Sequence, residues 1–208
     1  MDPDRFDALS RALSTSHPRR RLPRLLGGLS LGGLLSGVIR EAAAAEVLDA
    51  RCPDPGGDLF GYQRPLVAQT FRAKRSGELV RATLWFKEAG AGGADGCRVA
   101  IQTTDRKGRP TARVLAEALV TGVVDPPNGQ TTEVPVDFTI SSLGPARIKK
   151  DKRYALVVAT GTSPELYLQL NVNGGCEGTL FDFNGDTSKW ERNRIVGDLV
   201  FETFVERS

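Results

Sequence analysis

The chain has 208 residues, a formal charge of +3 and one histidine, His17, which stands in a basic, apolar N-terminal stretch. The rest of the chain therefore has no imidazole for a Ser-His-Asp or Cys-His arrangement and lacks the commonest zinc ligand. Cys52, Cys97 and Cys176 show no C-x-x-C spacing, and no glycine-rich loop runs into Lys-Ser or Lys-Thr, which argues against a zinc site or a phosphate loop.

Residues 1–45 carry seven Arg against four acids; removing these from the chain's 28 basic and 25 acidic residues leaves 21 of each sign in 46–208. A nucleic-acid footprint needs a surplus of positive charge. Residues 46–208 have none, and no nucleic-acid partner is expected. The basic cluster Arg147–Arg153 lies just before an apolar run and reads as a solvated turn.

The N-terminal segment, 1–45, reads as an export leader that is helical or disordered. Phe6, Leu9 and Leu13 recur at helical spacing. The apolar run Leu25–Ile39 is 15 residues long, whereas a bilayer span needs about 20. Five glycines inside it (27, 28, 32, 33 and 37) make it a poor core helix, at about 1 kcal/mol each relative to alanine. A basic region, a short apolar region and the small residues Ala42–Ala45 match the layout of a cleaved signal, with the cut after Ala44 or Ala45. The basic part resembles the twin-arginine export signal, with Arg19 and Arg20 as the pair, Arg21 as the free position and Leu22 as the apolar one. Pro23 departs from the usual second apolar residue. The resemblance implies recognition of the precursor by the twin-arginine export machinery and an extracellular or cell-surface location. No transmembrane anchor is expected in 46–208.

That remainder suits one domain with a real core. In Leu79–Lys87, Val80, Ala82, Leu84 and Phe86 alternate with Arg81, Thr83, Trp85 and Lys87, the period of a half-buried strand. Further strands are predicted over Ala68–Arg72, Arg98–Thr104, Val114–Val120, Thr132–Thr139, Tyr154–Ala159, Glu165–Asn171, Thr179–Phe183 and Asp198–Val205. Gly, Pro, Asn and Asp punctuate the gaps. Eight or nine short strands without intervening helical patterns predict an all-β fold over 46–208, a single antiparallel β-sandwich of jelly-roll type.

The segments AQTFRAKRSGELVRATLWF (68–86), RVAIQTTDRKGRPTARVLAEA (98–118), RYALVVA (153–159) and DLVFETFV (198–205) resemble the successive strands of the choice-of-anchor R domain. That domain is a β-sandwich module of exported bacterial proteins. It brings no catalytic residues to carry over, and its likeness to carbohydrate-binding modules is one of fold alone. Three cysteines in an oxidising compartment allow one bridge and one leftover thiol. Terminal strands of a sandwich lie side by side, and similar domains carry a cysteine at both ends. The resemblance thus implies a Cys52–Cys176 bridge, with Cys97 left as a small buried residue.

Two further groups of residues are candidates for binding. Asp182, Asn184 and Asp186 have the spacing that opens a calcium loop, but the twelfth position is Asn193 rather than an acid. A hairpin turning on Asn184-Gly185 explains the same residues, and a structural calcium is the one cofactor the pattern admits. Trp85, Tyr167 and Trp190 are candidate platforms for a sugar ring, since saccharides bind by stacking on aromatic faces with help from Asn, Asp and Gln; core or rim packing is the alternative for each. The expected function is an exported, non-catalytic binding or interaction module for a glycan or surface protein. The alternatives are a glycan-active enzyme working through paired carboxylates and a purely structural surface module.

Overall fold

The computed structural model describes residues 45–53, 60–62, 65–89, 96–121, 131–160, 166–172, 175–193 and 197–206. The segment expected to be an export leader, 1–45 with Arg19, Arg20 and Leu22, lies outside the described residues but for Ala45. Among the described residues no helix is long and apolar enough to cross a membrane.

In chain order the strands are β1 (Glu46–Cys52), β2 (Phe60–Tyr62), β3 (Leu66–Arg72), β4 (Gly77–Ala89), β5 (Cys97–Thr104), β6 (Pro110–Val120) and β7 (Thr131–Asp137). They continue as β8 (Ala146–Ile148), β9 (Arg153–Ala159), β10 (Leu166–Asn171), β11 (Leu180–Asn184), β12 (Lys189–Arg192), β13 (Asp198–Leu199) and β14 (Phe201–Glu206). They form two sheets, and the described pairings are antiparallel. The eight-stranded sheet runs β1-β14-β4-β10-β13, with β2 on β10 and with β7 and β8 on β4; the six-stranded sheet runs β12-β11-β3-β9-β5-β6.

The nine predicted segments are all strands, the last broken at Val200, but the described residues hold fourteen strands rather than eight or nine. The additions are β1, β2, β8 and β12. Three of these have only three or four residues, too few for alternation to register. In β1 the register skips Asp49, between Leu48↔Phe204 and Ala50↔Thr203, so the period of two is interrupted.

The core lies between the sheets. The eight-stranded sheet contributes Leu79, Ala82, Leu84, Phe86, Leu168, Leu170, Leu199, Phe201 and Val205; the six-stranded sheet contributes Val67, Phe71, Val99, Ile101, Leu156, Val158 and Leu180. The Phe71 and Phe201 rings meet across the interface with centroids 5.8 Å apart. Burying each large side chain stabilises by about 1.5–3 kcal/mol.

Strand β4 departs from simple alternation at one residue. Phe204 pairs with Arg81 and Val205 with Leu79, leaving Val80 as the extra residue of a bulge. Leu79, not Val80 as expected, therefore joins Ala82, Leu84 and Phe86 in the inter-sheet core. Val80 is still buried, and its carbonyl accepts the Phe138 N–H at 2.8 Å.

One end of the sandwich is closed by polar contacts. Gln69 of β3 points into the core and is fully buried. Its Nε2 donates to Asp198 Oδ1 at 3.0 Å, and its Oε1 accepts the Leu199 N–H at 3.0 Å, so a side chain of one sheet bonds a strand of the other. Beside it, Thr70 N donates to Thr179 O at 3.0 Å and Thr179 N donates to Thr70 Oγ1 at 2.9 Å. The approach is so close that a Cβ at Gly178 would collide with the Thr70 carbonyl oxygen. Replacing Gln69 by leucine strands the buried Leu199 N–H, and thermal melting should show a loss of about 1–3 kcal/mol.

Candidate functional site

The alternation of each strand decides which candidate side chains reach the surface. On β4, Trp85 lies between core residues Leu84 and Phe86 and so faces outward from the eight-stranded sheet, half-buried, opposite Glu133 of β7. On β10, Leu168 and Leu170 enter the core, and Tyr167 is half-buried on the outer face. The register Leu168↔Phe86 places β10 against β4, so Trp85 and Tyr167 share one face of one sheet.

That face holds residues that sequence reasoning did not single out. The Arg81 guanidinium stacks over the Phe204 ring, 3.6 Å from its centroid, while Arg81 Nε donates to Glu46 Oε2 at 2.8 Å and Nη1 donates to Thr83 Oγ1 at 3.1 Å. Such stacking contributes about 0.5–1 kcal/mol at an exposed site. Phe204 was legible in principle, because Phe201 and Val205 alternate with Glu202 and Phe204. Gln169 also lies on this face, at 1% exposure, and neither its Nε2 nor its Oε1 has a hydrogen-bond partner.

Trp190 is elsewhere. It pairs with Phe183 across β11 and β12, the rings edge-to-face with centroids 5.3 Å apart and planes at 71°. It packs with Leu66 and Val114 against Ala68, Ala100, Ala155, Val157 and Phe181, a cluster separate from the inter-sheet core. This is the outer face of the six-stranded sheet, where Arg98 also faces Glu117 with 3.5 Å between charged atoms. The three candidate aromatics therefore divide between two outer faces, Trp85 and Tyr167 on one and Trp190 on the other.

The stretch containing Asp182, Asn184 and Asp186 is a hairpin, but not a tight one on Asn184-Gly185. Its turn occupies residues 185–188, with Ser188 at φ 52°. Asn184 Oδ1 accepts the N–H groups of Asp186 at 3.0 Å and Thr187 at 3.2 Å, so the oxygen that a cation would use is turned toward its own loop. Asn184 Nδ2 donates to Glu191 Oε1, and Asn193 Nδ2 donates to Asp182 Oδ2, both at 2.9 Å. Asp182 alternates with Phe181 and Phe183 and does not stand beside Trp190 as a polar neighbour. Among the described residues no group of three or more His, Cys, Asp or Glu side chains could hold a metal ion.

Cys52 and Cys176 are joined, with Cα atoms 5.2 Å apart. Cys52 ends β1 beside Phe201, and Cys176 precedes β11, so the bond links the edge of one sheet to the segment entering the other. Asn171 Nδ2 reaches both sulfurs, at 4.0 and 3.7 Å, and donates to Pro53 O at 3.2 Å. Cys97 is free and buried, and burial pushes its thiol up to about 12, which leaves it protonated and unreactive at neutral pH. The cluster Arg147–Arg153 runs from β8 through an exposed turn into β9, with Asp151 at φ 65°.

Two carboxylates carry perturbed protonation. Asp49, at the bulge in β1, is 3% exposed; burial raises its pKa against the lowering effect of N–H bonds from Arg75 at 2.7 Å and Lys74 at 2.9 Å. Its Oδ1 is committed to holding that turn, and its position inside the protein keeps it from a substrate. Asp105 shifts the other way: the Arg109 N–H at 2.9 Å, then the Arg109 side chain and the Lys107 N–H, hold it below its usual range in the β5–β6 turn. Both acids shape loops.

A comparison of the chain with known protein families and with curated proteins finds no match to either. The fold is an all-β, two-sheet sandwich stabilised by a disulfide, an architecture consistent with a non-catalytic interaction module.

Non-reducing peptide mapping should recover Cys52 linked to Cys176, with Cys97 resistant to alkylation until the protein unfolds. The bond closes a loop with a sequence separation of 124; by the loop-entropy relation its reduction should remove about 5 kcal/mol of stability. Finding Cys97 in a bridge would overturn the assignment.

Proposed function

We propose that this chain is an exported, non-catalytic β-sandwich module that binds a glycan or cell-surface ligand by contact. In this reading it is a jelly-roll-like domain of the choice-of-anchor R kind, carried out of the cytoplasm by the twin-arginine machinery. The observation that carries the binding reading is the set of half-buried aromatics on the outer sheet faces, Trp85 and Tyr167 on one and Trp190 with Phe183 on the other. A ring held by sheet neighbours loses little freedom when a ligand stacks on it, and sheet faces can accept an extended ligand without a deep pocket. The Cys52–Cys176 bond supports export, because disulfides persist in oxidising compartments.

Two measurements check the reading. Changing Arg19 and Arg20 together to lysine should leave the precursor in the cytoplasm; normal export of that double variant would remove the twin-arginine assignment. A glycan-array screen of the exported protein, with and without calcium, should return a ligand. Alanine replacement of the aromatic that stacks on it should cost about 1–3 kcal/mol of binding, by analogy with bases on aromatic platforms, and leave the fold intact. A core aromatic should instead lose about 3–5 kcal/mol of stability. If Trp85, Tyr167 and Trp190 all behave as core residues, contact binding through these faces is wrong.

A further inference from the structure

Three turns meet at one end of the sandwich. They join β3 to β4 (73–76), β5 to β6 (105–109) and β8 to β9 (149–152), and β9 lies between β3 and β5. Ala73 N donates to Lys152 O at 3.0 Å and Asp151 N donates to Ala73 O at 2.7 Å. Lys150 N donates to Ser76 Oγ at 2.9 Å. These bonds tie the first turn to the third. On the other side of β9, Thr104 Oγ1 donates to Arg153 O at 3.1 Å, and a Cβ at Gly108 would meet the Arg153 guanidinium. The second turn therefore lies against the third as well.

Taken alone, Arg147–Arg153 is a solvated turn, but the strand order adds two more basic turns beside it. Residues 72–75, 105–109 and 147–153 hold 11 of the 21 basic residues of 46–208, against two of its 21 acids, Asp105 and Asp151. These stretches carry a formal +9, and the ten basic residues and 19 acids left in 46–208 carry −9. Neighbouring groups offset little of the excess. Arg109 pairs with Asp105 and Arg147 with Glu78, and Asp49 accepts the backbone N–H groups of Lys74 and Arg75. Lys74, Arg106, Lys107, Lys149, Lys150 and Lys152 are exposed and enter no ion pair among the described residues. Like charges gathered this way repel one another, a cost that an anionic partner would relieve.

The make-up of this end narrows the partner. The three turns contain no aromatic residue, so they offer no platform for stacked bases. They are tips that project from the strand ends, and several tips reach a flat surface together. The opposite charge on the rest of 46–208 would orient the domain with this end leading toward an anionic surface. Residues 1–45, with seven Arg against four acids, are no electrostatic complement to it. We propose that this end docks the domain on an anionic phospholipid surface. Its lysines and arginines contact lipid phosphates, and no side chain inserts into the bilayer. The inference goes beyond the glycan reading and is independent of it, since the candidate aromatics stand on the sheet faces rather than at this end.

The test uses the exported protein and co-sedimentation with two kinds of vesicle, phosphatidylcholine alone and phosphatidylcholine mixed with phosphatidylglycerol. The protein should bind the mixed vesicles only. Raising salt from about 0.1 M to about 1 M should release it, because the screening length falls from about 10 Å to about 3 Å. Lys149→Gln, Lys150→Gln and Lys152→Gln together should weaken binding by about a hundredfold, at about fivefold per charge, with melting unchanged. A control with Arg51→Gln, Lys189→Gln and Arg192→Gln removes the same net charge away from this end and should weaken binding less than about threefold. Arg106→Gln with Lys107→Gln, in a different turn, should weaken binding by about 25-fold and decides the matter if the lysine variant melts lower. Absence of binding to the mixed vesicles would overturn the proposal, as would equal losses in the two triple variants. Binding to dextran sulfate or duplex DNA that needs Lys149, Lys150 and Lys152, without binding to vesicles, would assign this end to a soluble polyanion and remove the lipid surface.

Discussion

Gln69 carries a side chain from the middle of the six-stranded sheet across to β13 of the other sheet, where it bonds both Asp198 and the Leu199 backbone. The core between the sheets is otherwise built mostly of apolar side chains, which attract without direction. Here the contact is directional and buried, so it fixes how the sheets sit at this end as well as how tightly they pack. It also caps an edge. Leu199 pairs with Leu170 on one side of β13, and its N–H on the other side would be an unpaired strand edge without the Gln69 carbonyl oxygen. The Thr70–Thr179 contacts and the Cys52–Cys176 bond act at neighbouring places in the chain. Together they hold the start of the domain, its final strands and the β10–β11 connection in one assembly.

Each sheet also has an outer face, turned away from the inter-sheet core. The two faces differ. The six-stranded sheet presents small residues, Ala68, Ala100 and Ala155, beside Phe181 and Trp190. The eight-stranded sheet presents Arg81 stacked on Phe204, a buried Thr83, Trp85, Tyr167 and the unsatisfied Gln169. The first face carries an apolar cluster beside the Arg98–Glu117 pair. The second mixes rings with hydrogen-bonding groups. The contrast between Gln69 and Gln169 makes the same point within one residue type. One amide is satisfied because it holds the fold, and the other is unsatisfied where the fold does not require it.

Strand β4 connects these features. Its residues 78–84 pair with β14 and its last residues with β10 along one edge, while β8 and then β7 occupy the other. The bulge at Val80 lets a single long strand change partners, from β8 to β7, without losing its core face. It also restores the phase that sends Arg81, Thr83 and Trp85 outward. Had the strand kept strict alternation through Leu79, one of its two halves would have turned apolar residues to solvent.

The sequence by itself determined the class of fold. Period-two alternation in long strands such as β4, and turn residues between them, are local properties that survive without knowledge of the partners, and the nine strands they predicted are present. It could not reveal strands of three or four residues, because alternation needs length to be seen, nor the skipped residues Asp49 and Val80, because a bulge is defined against a neighbouring strand. The candidate site was legible in part. Alternation placed Trp85 on an outer face from its own strand. That Trp85 and Tyr167 lie together while Trp190 lies on the other sheet depended on strand order, which joins residues far apart in the chain. The burial of Asp49 was hidden for the same reason, since a charged residue in β1 gives no sign of the Lys74 and Arg75 backbone groups that receive it. Gln69 and Gln169 are the clearest case. Each is a polar residue within an apolar strand, and only the tertiary structure decided which amide found partners and which was left without.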